Sequence, residues 1–103
     1  MIKRLQAEHK EWAEKNFPNA ESWQSLVGIM EELGELSHAH LKDSQGIRIT
    51  EDHVEKAKDS LGDIVIFMAG YCTLRGFDFD QIIRDTWKEV KNRDWKKHPE
   101  SGV

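Results

Sequence analysis

Residues Glu31-Glu32-Leu33-Gly34-Glu35 put three carboxylates into five positions. On a helix, at ~100° per residue, Glu31, Glu32 and Glu35 fall within one sector of ~100°. Gly28 and Ala39 lie in that sector, above and below, so a facing helix or a ligand can come close. Like charges at this spacing repel, and they become favourable together when a cation binds them. A second acidic pair, Asp59 and Asp63, is one helical turn apart on a segment that is apolar nearly all round from Leu61 to Cys72. A carboxylate in such surroundings costs several kcal/mol unless it is paired or bound to metal. If the two acidic faces meet, oxygen-only ligation points to Mg²⁺ or Mn²⁺. Two simpler readings compete with this one: a solvated acidic face at 31–35, and a salt bridge from the aspartates to Lys56 or Lys58.

The elements that must position these groups are helical. Ile2, Leu5, His9, Trp12 and Ala13 recur at helical spacing, which predicts a helix over about 2–16, broken by Asn16-Phe17-Pro18-Asn19. A second helix starts near Ser22, a candidate cap, and ends between Lys42 and Gly46. Its apolar stripe is Leu26, Ile29, Met30, Leu33, Leu36 and His40, opposite the carboxylates. Residues 47–52 connect to a third, central and buried helix over about 52–74, stopped by Gly76. A fourth begins near Asp78, with Phe79, Ile82, Ile83, Thr86, Trp87 and Val90 as its stripe. No segment alternates with period two, so no sheet is expected. The fold class is all-α: a single domain over 1–103, with four helices packed in the manner of a four-helix bundle.

The acidic segment also resembles a known family. Glu31-Glu32-Leu33-Gly34-Glu35 resembles the EExxE half of the MazG-like nucleotide pyrophosphohydrolase motif, and Leu61-Gly62-Asp63 the end of its ExxD half. Trp12 to Phe17, Gln45-Gly46-Ile47-Arg48 and the basic ending Val90 to Lys97 are similar to short, phage-type members, so the likeness covers most of the chain. It implies an all-α NTP pyrophosphatase that works as a homodimer or homotetramer. The implied reaction is Mg²⁺-dependent hydrolysis of a (deoxy)nucleoside triphosphate to monophosphate and pyrophosphate. Glu32, Glu35 and Asp63 match the family's metal ligands. Glu31 matches its first glutamate, so Glu31 and Glu32 are the candidate catalytic pair. The chain departs from the pattern at Ser60, where the glutamate of ExxD should stand. The expectation is that Asp59 takes over as fourth carboxylate and Ser60 does not bind metal.

For the substrate, Asn92 and Arg93 match the family ending. Lys96, with Lys42, Arg48 and Lys91, is a further phosphate-binding candidate. Trp95 lies outside any regular stripe and is the better stacking candidate, while Trp12, Trp23 and Phe17 are others. Glu35-Leu36-Ser37-His38 reads as one ExxH of a di-iron carboxylate site, but such sites use two and no second occurs. A degenerate, non-catalytic nucleotide-binding or interaction module is the other rival.

Composition bounds the rest. The 103 residues carry 19 acidic and 15 basic side chains, a net charge of −4, which argues against a nucleic-acid polymer as partner. A chain this short buries only roughly two-thirds of its unfolded surface, so assembly is a natural way to complete its core. Cys72 stands alone and is expected to pack as a small buried hydrophobe. The first residues lack an apolar signal region, and Ile64 to Leu74 is far short of the ~20 residues that span a membrane. A cytoplasmic protein with no membrane partner is therefore expected.

Overall fold

The computed structural model describes residues 1–103: α1 (Ile2–Asn16), α2 (Ser22–Gln45), α3 (His53–Arg75) and α4 (Phe79–Val90), with no strand. The termini follow local chemistry. Glu21, not Ser22, holds the cap position of α2, where the Gln24 side chain accepts its backbone N–H at 2.9 Å. Asp52 and Asp78 cap α3 and α4 by accepting the backbone N–H of Glu55 (3.0 Å) and Gln81 (3.1 Å). Gly46 and Gly76 end α2 and α3 at φ 67° and 71°, a left-handed turn that a side chain would strain.

The centre of the molecule is the α2–α3 pair. Along it, α2 turns toward α3 the face that carries Ser25, Gly28, Ile29, Glu32, Leu36 and Ala39, all buried or half-buried. Gly28 meets the Phe67 ring, and Ser25 lies beside Gly70. In each pair the residue numbers sum to the same value, as an antiparallel register requires. The same register sets Glu32 opposite Asp63.

Both α1 and α4 pack on α3 and on each other, and neither brings its backbone up to α2. Gln6 fixes this arrangement. Its amide donates to the Phe77 carbonyl (2.8 Å) and accepts from the Phe79 N–H (3.0 Å), clamping α1 to the α3–α4 turn. Ala69, Cys72 and Phe79 form a small core there, with Ile2 and Val65 against it. Cys72 is the small buried hydrophobe expected, and burial pushes its thiol pKa up.

One chain is thus an open slab, 45 × 42 × 24 Å, rather than a closed bundle. Only nine of its 103 residues are buried. The central helix α3 touches every other helix, yet Leu61, Ile66 and Met68 on it stay exposed. Much of the apolar stripe of α2 is uncovered too: Ile29 and Leu36 turn to α3 with the small and acidic residues, whereas Leu26, Met30 and Leu33 do not. Met30 is 72% exposed and Leu33 53%. On α4 only Phe79 is buried, leaving Ile82, Ile83, Trp87 and Val90 in the open. No helix is long and apolar enough to cross a membrane.

Candidate metal centre and groove

Carboxylate oxygens of Glu31, Glu32 and Glu35 lie within 4.8 Å of one another. Glu31 and Glu35 are exposed, whereas Glu32 points into the α2–α3 interface and keeps only 9% of its exposure. Its Oε2 is buried without a hydrogen-bond partner. Burial raises the Glu32 pKa first; the charge and close approach of Glu35 and the charge of Asp63 raise it further. The Ser60 hydroxyl pulls it back by favouring the ionised form. The solvated-face reading therefore fits Glu31 and Glu35 but not Glu32. The three clustered glutamates all come from α2; Asp63 of α3 is near enough to raise the Glu32 pKa but is not among the oxygens within 4.8 Å of one another. An all-oxygen group of this kind is chemically suited to a hard cation.

The salt-bridge reading is not realised. Lys56 pairs with Glu51 at 3.1 Å and Lys58 with Glu55 at 3.3 Å, leaving Asp59 and Asp63 in no ion pair. Asp63 is half-buried opposite Glu32. Asp59 is not brought into the group: it is exposed, while Ser60, one position and ~100° further round the helix, is 4% exposed and faces Glu32. The α3 position that faces Glu32 is held by the Ser60 hydroxyl, not by the neighbouring carboxylate of Asp59. His38 is exposed and outside the cluster, so the donor set is all oxygen and lacks the imidazole of a di-iron site.

Because α1 stands away from α2, a groove of about 940 Å³ opens between α1 and the α2–α3 pair. Glu32 and Asp63 line it, and so do His9, Lys10, Trp12 and Phe17. Trp12 is tilted against the His9 ring (centroids 5.7 Å) and meets Phe17 edge-on (5.8 Å), so one aromatic wall runs from α1 into its exit turn. Of the expected stacking residues, Trp12 and Phe17 reach this groove, whereas Trp23 and Trp95 do not.

Asn92, Arg93, Trp95 and Lys96 do not reach it either. They follow α4 in a tail that folds on itself. Asp94 accepts from the Lys96 and Lys97 N–H groups (both 3.1 Å), and its own N–H donates to the Gly102 carbonyl (2.7 Å). Since α4 packs on α1 and α3 alone, no element carries this tail to the acidic end of the same chain. Lys42 lines a separate hollow beside residues 46–54, and Arg48 and Lys91 line neither. Lys10, the one basic side chain in the large groove, went unremarked in the sequence because it follows no motif. His9 was equally hard to single out; Ser60 stood out as a departure from the motif but not as the group that faces Glu32, and Gly28 marked where the helices come close.

Compared with protein-family models, curated proteins and solved structures, the chain matches none.

Proposed function

We propose that the protein is a cytoplasmic, metal-dependent nucleoside triphosphate pyrophosphohydrolase of the MazG-like kind, working as a homo-oligomer. One observation carries the reading: a buried glutamate with an orphaned oxygen, Glu32, faces Glu35 and Asp63 at one end of an aromatic-lined groove. Glu32, Glu35 and Asp63 would hold Mg²⁺ or Mn²⁺. The ion, when bound, neutralises triphosphate oxygens and lowers the pKa of a bound water. Glu31, exposed and within 4.8 Å of the other two glutamates, would take a proton from the attacking water. Lys10 meets the outer phosphates, while Trp12 and Phe17 flank the base.

The uncovered stripes of α2 and α4 support assembly. A second copy covering Met30, Leu33, Ile82 and Trp87 buries surface that this chain cannot bury alone. In this reading Asn92, Arg93, Trp95 and Lys96 act on substrate only where a second copy carries its tail to the groove.

The test is pyrophosphate release from a panel of ribo- and deoxyribonucleoside triphosphates, with Mg²⁺ and with EDTA. Release that EDTA abolishes supports the reading; no release, or release indifferent to EDTA, overturns it. Ser60 in place of a fourth carboxylate favours one alternative, a module that binds nucleotide without cutting it. Tight nucleotide binding without pyrophosphate would establish that instead.

A further inference from the structure

His9 is the one imidazole in the groove, and it is seated in an unusual way. It occupies a space that exists only because position 70 lacks a side chain: a Cβ there would lie 2.8 Å from His9 Cε1. The Ser25 hydroxyl lines the same space, 3.6 Å from that Cβ position. His9 Nδ1 is buried against this floor with no hydrogen-bond partner. The other ring nitrogen, Nε2, keeps access to the groove. An apolar side chain of similar size would fill this space without leaving a buried nitrogen unsatisfied. A purely structural role therefore does not account for an imidazole here.

Its distance from the acidic end has meaning. Ser25 lies two turns before Glu32 on α2, and Gly70 two turns after Asp63 on α3. At 1.5 Å per residue both helices place His9 about 10 Å from the carboxylates, about the length of a nucleoside. Trp12 and Phe17 continue the wall beside it, giving a planar ring an aromatic surface to stack on.

We propose that His9 is the specificity-determining residue of the groove, with Nε2 hydrogen-bonding the edge of a heteroaromatic base stacked along Trp12 and Phe17. The occupant it selects is a nucleoside moiety whose phosphates extend toward Glu32 and Asp63. The selection rests on the proposed nucleotide chemistry for its biological meaning, but not for its test. Burial also lowers the His9 pKa, keeping the ring neutral and able to donate or accept at Nε2.

The experiment is calorimetric titration of the full-length protein with the common nucleosides, in metal-free buffer, where neither phosphate nor catalysis contributes. Wild type is expected to prefer one nucleoside by about tenfold, the worth of one hydrogen bond to a buried polar group. His9→Ala should lose most of that preference. His9→Gln, which keeps a polar edge, should restore part of it, and circular dichroism checks that both variants fold. Wild type binding no nucleoside, or folded His9→Ala keeping the full preference, overturns the proposal. Pyrophosphate release measured in parallel separates the two claims. Release without nucleoside selectivity removes the role of His9 and leaves the catalytic reading; selective binding without release does the reverse.

Discussion

The Phe67 ring packs against the backbone of Gly28, so close that a Cβ at position 28 would sit 2.6 Å from Cε1. This contact sets the spacing of α2 and α3 one turn from Glu32, and so sets how nearly the two acidic faces approach. Gly28→Ala gains about 1 kcal/mol of helix propensity but must displace a packed aromatic ring, which costs about 1–3 kcal/mol. A lower melting temperature and weaker metal binding are expected together. Shrinking the ring with Phe67→Leu in the Gly28→Ala background should recover both, as coupled neighbours do. Additive losses would show that the contact does not set the helix spacing.

Glu32→Gln keeps the volume of the side chain and removes its charge. In metal-free buffer the buried charge, raised in energy by Glu35 and Asp63, is then gone, and the variant should melt several degrees above wild type. Adding Mg²⁺ or Mn²⁺ should stabilise wild type by mass action and leave the variant nearly unmoved. Differential scanning calorimetry with and without the ion reads both effects. An equal metal-induced shift in the two proteins would remove Glu32 from the ligand set.

Positions 59 and 60 part in opposite directions. Asp59 is exposed and Ser60 buried against Glu32, so Asp59→Ala should leave the metal dependence of turnover unchanged within about twofold, a small surface effect. Ser60→Glu adds a fourth carboxylate where the interface is already short of donors. It should destabilise the metal-free protein and tighten Mn²⁺ binding. Titration calorimetry with Mn²⁺ decides it. Large loss in Asp59→Ala with no gain in Ser60→Glu would return the fourth ligand to Asp59.

Much of this was legible in the chain because it is local. Asp52, Asp78, Gly46 and Gly76 mark helix ends through their own side chains or lack of them, and all four helices lie where periodicity puts them. The convergence of Glu32 with Asp63 was legible for a different reason: a carboxylate in an apolar helix demands compensation wherever it is. What was not legible is how much of the apolar stripe of α2 would stay uncovered. Gly28 and Ala39 let α3 approach on the acidic side, and of the stripe only Ile29 and Leu36 turn in with them, leaving Leu26, Met30 and Leu33 open. How far one chain closes the bundle was not legible for the same reason, since a pattern of apolar faces does not say which are covered by the same chain.

Those open faces carry their own consequence. With Met30 72% and Leu33 53% exposed, a stable solitary chain of 12.0 kDa is not expected at micromolar concentration. Sedimentation velocity should find a dimer or larger species. Met30→Lys, a charge placed in the middle of the stripe, should shift the protein toward a monomer with a lower melting temperature. A wild-type monomer with a cooperative melt would overturn this.

His9 makes stability depend on pH in a direction that its burial fixes. Its pKa is lowered from the ordinary histidine value of 6.5, because the charged ring loses solvation against Gly70 and Ser25. The unfolded chain, with the higher pKa, binds this proton first. Stability from His9 is therefore fully present above about pH 6.5 and falls as pH drops below that value toward the lowered folded pKa. His9→Gln has no proton to bind, so the gap in melting temperature between pH 7.5 and 5.5 should be smaller in the variant than in wild type. His9 is half-buried rather than buried, and solvent screening limits the difference to a few degrees. Glu51 titrates lower still, since Lys56 holds its pKa below the usual 4.5, and it is common to both proteins. Melting curves that run parallel across this range would show that the folded protein protonates His9 as readily as the unfolded chain does.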